Sequence, residues 1–193
     1  MSKVFHAAML SHYIDRTFRH IHFVQKRAVS LANYCISSQN GLFDREREIF
    51  SFLHAVSAHD HSKFSPEQWP IYCIMSYKRN ITGEDLTEDE KIEFEKAFRD
   101  HYFREYHHPE MTTNNERSYY WGKTSALHCA CDLQAMADEF GEGSARKYFN
   151  NIWWPKYGEI VTKKSIETDN MGRFDVKSLM EKCFEIWERI DSK

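Results

Sequence analysis

Residues 59–72 read HDHSKFSPEQWPIY. The second half of this stretch predicts a helix start. Ser65 suits the N-cap and Pro66 suits the first helical position, where no amide hydrogen is needed. Gln68, three residues after Ser65, completes the pattern of a capping box. The first half ends the preceding helix. Ile49, Phe52, Leu53 and Val56 recur at three- and four-residue spacing, which predicts a helix over about residues 44–60 with Asp44 as its N-cap. On that wheel His59, Asp60 and Lys63 continue the apolar face, while His54 and His61 fall away from it. An imidazole and a carboxylate thus point where apolar side chains are expected. Burying such groups without partners costs several kcal/mol.

Working outward, helical periodicity dominates. Residues 8–37 predict one long helix, with Tyr13, Ile21, Val24, Ala28, Leu31 and Cys35 sharing a face. His20 lies on that face and His22 roughly opposite it. After a loop at NITGED (residues 80–85), Thr87 to Glu90 forms a second capping box that opens a helix to about Glu105. Pro109 places its end near His107. The polar stretch TTNNERS (residues 112–118) reads as a loop, and a helix follows from about Tyr119 to Phe140, stopped by Gly141 and Gly143. Ser144 to about Asn151 predicts a short helix broken by Trp153-Trp154-Pro155. Asp175 then caps a last helix, along which Val176, Leu179, Met180, Cys183, Trp187 and Ile190 keep helical spacing.

With only 7 Gly and 4 Pro in 193 residues, the chain lacks the breakers of a many-turned β fold. The expectation is an all-α bundle of about six to eight helices. It is read as one domain over residues 1–193, with its core over about 8–140 and a helical extension over 141–193. A net charge of −3 gives no general attraction to a nucleic-acid polymer or an anionic membrane, though it leaves room for a local basic pocket. No apolar run approaches the roughly 20 residues of a membrane span. MSKVFHAAML lacks the apolar core of a signal peptide. The five Cys are odd in number and form no C-x-x-C pair, which suits buried, reduced thiols and a cytoplasmic setting. Cys129 and Cys131, two apart on a helix, point in different directions and read as core. Trp153, Trp154, Tyr157 and Trp187 read most simply as core too.

The 11 His are unusual, and a divalent cation is the economical partner for neutral imidazoles and ionised carboxylates at inward positions. Candidate donors run in the order His20, His59, Asp60, His101, His107, His108 and Asp132. Asp132 lies mid-helix on the side of Ser125, His128, Cys129 and Met136, where it has no capping role. His101 and His108 are seven apart, two turns on one helical face. Pro109 disfavours helix at His108, so His107 competes with it for that place. His128, one turn before Asp132, fits either a partner that orients a ligand or an ordinary core histidine. Lys63, one turn after Asp60, suits a phosphate oxygen as a flexible ammonium, and equally suits a solvated helix end. Glu67 suits a general acid, although a first-turn Glu is favoured by the helix dipole alone.

This order resembles the HD-domain superfamily of metal-dependent phosphohydrolases. Their pattern is a histidine on the first helix, an HD pair on a later helix and a distant aspartate on another. HDHSKF, followed by His101 and then HHPE (residues 107–110), is closest to a poorly characterised HD-like branch with HD-x-SKF and HHPE motifs. The resemblance covers roughly residues 15–140. It implies that His20, His59, Asp60 and Asp132 hold one metal, that His101 with His107 or His108 serves a second, and that Lys63 contacts phosphate. The cofactor implied is one or two divalent ions among Mn, Fe, Zn, Co, Ni and Mg. The activity implied is hydrolysis of a nucleotide or other small phosphate ester by a metal-activated hydroxide. No GYP motif follows, so a cyclic dinucleotide is not implied. The rival expectation is a non-catalytic, metal-stabilised binding or regulatory module of the same fold.

Overall fold

The structure, a computed structural model, describes residues 6–38, 41–109, 121–168 and 174–193. It is all-α, with no strand among the described residues. Among the described residues, seven helices of more than one turn run in the order α1 (Ala7–Ser38), α2 (Glu46–Ser57), α3 (Trp69–Tyr77), α4 (Glu88–Arg104), α5 (Lys123–Phe140), α6 (Trp154–Thr168) and α7 (Val176–Asp191). A 3₁₀ turn, His61–Phe64, lies between α2 and α3. The TTNNERS segment and Tyr119 fall outside the described residues. No described helix is long and apolar enough to cross a membrane.

The chain divides into two compact units. The first comprises Met1–Ile21 and Asp60–Glu105, the second His22–His59 and Tyr106–Lys193. The first is built on Tyr13, Ile71, Tyr72, Cys73, Ile74 and Ala97, with Phe64, Trp69, Phe94 and Phe98 packed against them. The Tyr13 hydroxyl donates to the Lys63 carbonyl at 2.8 Å, tying α1 to the 3₁₀ turn. In the second unit, Val24, Leu31, Phe52, Leu127, Phe149, Met180, Phe184 and Trp187 share one core. Residues beyond 140 are therefore integral to that core. The Trp187 indole N–H donates to the Arg27 carbonyl and to Ser30 Oγ, both at 3.1 Å. The Arg27 guanidinium meets Asp138 at 2.6 Å and Asp191 at 2.8 Å, which joins α1 to α5 and α7.

Local rules succeed unevenly. The Thr87 box forms as expected: Glu90 N–H donates to Thr87 Oγ1 at 3.3 Å, and Thr87 N–H donates to Glu90 Oε2 at 2.8 Å. Asp175 caps α7 by accepting from the N–H groups of Lys177 and Ser178. Asp44 does not cap α2. Arg45 holds that place without a side-chain bond, and Asp44 instead donates its own N–H to Glu48 Oε2 at 3.1 Å.

The Ser65 box does not form either. Ser65 is extended, and its carbonyl accepts from the N–H groups of Gln68 and Trp69, both at 3.0 Å, as an N-cap carbonyl would. Its hydroxyl, though, is buried without a hydrogen bond among the described residues. The Gln68 side chain donates to Asp100 at 2.7 Å rather than reaching back. The helix proper therefore starts at Trp69, with Pro70 in its first turn.

Trp153-Trp154-Pro155 does not break the chain's helical path. A single turn, Arg146–Tyr148, runs through a π-turn, Phe149–Trp153, into α6. The wide turn puts Pro155 in the first turn of α6, where a missing amide hydrogen costs no intrahelical bond. In the same helix the Trp154 indole lies over Gly158. A Cβ on Gly158 would meet its ring atoms at 2.6 to 3.0 Å.

Candidate metal-binding clusters

The HD dipeptide does not lie on a helix. α2 ends at Ser57, the His59 N–H donates to the Val56 carbonyl at 3.0 Å, and Asp60 takes a left-handed conformation with φ 59°. The 3₁₀ turn starts there, with the Lys63 N–H donating to the Asp60 carbonyl at 3.0 Å. A tight turn thus stands where the sequence predicts the end of a helix, and both side chains still point inward: His59 is 0% and Asp60 1% exposed. His22, His54 and His61, which the wheel set aside, are exposed.

In the first unit the groups gather around Asp60. Its Oδ1 lies 3.2 Å from His101 Nε2, and its Oδ2 lies 3.7 Å from His20 Nε2 and pairs with the Lys63 ammonium. His101 comes from the last turn of α4, and it shares a 2.8 Å hydrogen bond through Nδ1 with Ser62 Oγ of the 3₁₀ turn. The Ser62 N–H also donates to Glu105 Oε1 at 3.4 Å. Donor atoms of Asp60, His101 and Glu105 all lie within 4.8 Å of one another, and all three residues are buried. Burial, and next the charge of Asp60, pushes the Glu105 carboxyl above its ordinary range. The same two causes push the Tyr72 phenol upward. The Tyr72 ring packs edge-on to His101, with the Lys63 ammonium 5.9 Å from its centroid.

In the second unit three imidazoles meet. Donor atoms of His59, His107 and His128 lie within 4.8 Å of one another, again all buried. His59 Nδ1 is 3.0 Å from His128 Nε2, and the His107 and His128 rings are 4.2 Å apart. Asp132, one turn after His128 on α5, lies 3.8 Å from His59 Nε2 and 3.8 Å from His107 Nε2. His108 is half-buried, its ring 4.1 Å from that of His107.

His20, Asp60, Lys63 and His101 are thus gathered in one unit, and His59, His107, His108 and Asp132 in the other. Glu67 joins neither group. It is exposed, and its carboxylate faces the Arg104 guanidinium at 3.9 Å. Glu105, Ser62 and Tyr72 were not singled out from the sequence. Glu105 carries a signal, its i+4 spacing from His101, but the same position equally marks the end of a helix. Ser62 and Tyr72 carried none, because their roles follow from the 3₁₀ turn and the packing of α3. All five cysteines are buried, and none belongs to a donor group among the described residues. Burial pushes Cys131 and Cys183 well above the ordinary thiol range, as suits core residues.

Neutral imidazoles with carboxylates are the donor chemistry of divalent transition metals. Bringing so many together away from water is costly unless a cation compensates them. The buried donor groups therefore fit a metal ion.

Fold and donors together define an all-helical protein with buried histidine–carboxylate groups of metal-ligating type. The chain belongs to a family of unknown function, DUF5662, which matches residues 9–171. No curated protein and no solved structure matches it.

Proposed function

We propose that the protein is a metal-dependent phosphohydrolase acting on a nucleotide or another small phosphate ester. The carrying observation is Asp60: a buried carboxylate facing His101 on one oxygen and the Lys63 ammonium on the other, in the HD-x-SKF context. A bound divalent ion would supply a water of lowered pKa and positive charge beside the phosphate. The chain's own residues do the remainder. Lys63 sits on a flexible stem beside the donors and offers its ammonium to a non-bridging phosphate oxygen as negative charge grows there. Ser62 fixes the His101 ring through Nδ1 and turns Nε2 toward Asp60. His128 holds His59 Nδ1 in the same manner. The Tyr72 ring packs edge-on to His101 and puts apolar surface beside that donor, where water would otherwise screen it.

The decisive experiment is metal analysis of the purified chain beside a His59→Ala, Asp60→Ala double variant. A hydrolysis screen over nucleotides, phosphomonoesters and phosphodiesters follows. The expected result is bound divalent metal and turnover in the wild type, with both lost in the variant. A wild type that takes up no divalent ion under any loading condition sinks the proposal. One observation favours a second reading, a non-catalytic metal-stabilised module: the Lys63 ammonium is paired with the Asp60 carboxylate. Stoichiometric metal with no turnover on any phosphate ester decides for that module.

A further inference from the structure

Glu105 is a buried carboxylate to which the proposed hydrolysis assigns no part. It follows α4 directly and stands four residues after His101, a spacing that brings two side chains to one helical face. It is 8% exposed, in a cluster that already holds Asp60. Two buried carboxylates brought this close repel, and a divalent cation between them would offset that repulsion. Ser62 orders both of Asp60's neighbours at once, His101 through its hydroxyl and Glu105 through its backbone N–H. Two oxygen donors and one imidazole nitrogen are thus assembled within the first unit by three short segments: the residue opening the 3₁₀ turn, the last turn of α4 and the residue after it.

The geometry points to Glu105 as a metal ligand that completes a three-donor site with Asp60 and His101 for an oxygen-preferring divalent cation. Two carboxylates and one imidazole suit Mn²⁺ or Fe²⁺, and Mg²⁺ more weakly, better than a thiolate-seeking metal. The site rests on the metal-dependent reading above and adds to it a ligand and a preference among metals.

The test strips the full chain with a chelator and titrates it with Mn²⁺, following the free-ion signal by electron paramagnetic resonance. Melting temperature is recorded with and without Mn²⁺. Glu105→Gln keeps the size of the side chain and an acceptor for the Ser62 N–H, but removes the charge. The expected result is a loss of Mn²⁺ affinity of about tenfold or more at one site. The metal-free melting temperature should be unchanged or raised, and the Mn²⁺-induced rise reduced. A variant that binds Mn²⁺ within about twofold of the wild type, at equal stoichiometry, overturns the inference while leaving the metal-dependent reading intact. So does a variant with a lower metal-free melting temperature and an undiminished Mn²⁺-induced rise, since that is the mark of a structural carboxylate. A wild type that binds none of Mn²⁺, Fe²⁺, Zn²⁺, Co²⁺, Ni²⁺ and Mg²⁺ overturns both.

Discussion

Asp60 carries two roles at the level of the single residue, and they can be separated. Its carboxylate anchors the first unit's donors, and its backbone occupies the left-handed region that side chains with a Cβ generally avoid. Asp60→Gly and Asp60→Ala remove the same carboxylate, but only Gly is at ease with φ 59°. The metal-free Gly variant should be more stable than the Ala variant by about 1 kcal/mol in urea unfolding. Equal stabilities would mean that the turn relaxes. His128 offers a second test. It holds the Nδ1 side of His59 at 3.0 Å, so His128→Leu should weaken metal binding about 10- to 100-fold, and His128→Gln, which retains a polar tip, should weaken it less. Equal affinity in all three proteins would show that His128 takes no part in metal binding. The inward burial of His59 and Asp60 was legible because a 3.6-residue period marks the inner face even where the helix ends one turn early. The tight turn itself was not legible. Nothing in HDHSKF announces a positive φ except that Asp tolerates one.

Secondary-structure elements begin where local chemistry meets no competitor. Thr87 and Asp175 cap as their sequences suggest. Ser65 and Asp44 do not, because Asp100 takes the Gln68 side chain, while Asp44's own N–H and Lys123 engage Glu48. These rivals come from distant or shifted positions that a local pattern cannot register. The Asp175 cap makes a pH prediction. The Ser178 hydroxyl, then the N–H groups of Ser178 and Lys177, hold its carboxyl below the ordinary range against the opposing effect of burial. A depressed folded value means that the cap stabilises fully above the unfolded Asp pKa of about 3.9, and loses that contribution as pH falls through the lower folded value. Asp175→Ala should cost about 1 kcal/mol at neutral pH, with the gap closing in acid. Asp175→Asn should cost less and should lack that acid dependence. Chemical denaturation of the three proteins at neutral pH and near pH 2.5 checks both statements. The π-turn ahead of α6 had no sequence marker. Trp153-Trp154-Pro155 predicts a break, but the preceding wide turn puts Pro155 at a helix start and the helical path continues.

For the whole molecule, scarcity of Gly and Pro with unbroken helical periodicity was enough to read an all-α fold. The partition into two compact units was not visible. One boundary falls between Ile21 and His22, inside the continuous α1, where neither composition nor period changes. α7 also exceeds what the family match would suggest. It lies beyond residue 171, yet Val176, Met180, Cys183, Phe184 and Trp187 are buried in the second unit's core. A chain truncated after Thr168 should therefore lose cooperative unfolding and near-ultraviolet circular dichroism, because Phe149 loses the Phe184 ring of α7 that packs 5.3 Å from it. Retention of a sharp melting transition would show that α7 is dispensable. If metal is bound, ligand linkage applies to the full chain: a divalent ion at a hundredfold excess over its Kd adds about 2.7 kcal/mol, and a chelator should remove it as a drop in melting temperature.

Gly158 bears on how this protein could be hardened for use. Exchanging a mid-helix glycine for alanine is a standard route to thermostability, with an expected gain of up to about 1 kcal/mol. Here the methyl would enter space held by the Trp154 indole, which is itself fixed against Phe149 and Trp153 and beneath the Lys177 ammonium. The customary improvement would displace an aromatic stack, so a consensus-style redesign of α6 should leave Gly158 alone and look to its exposed positions instead.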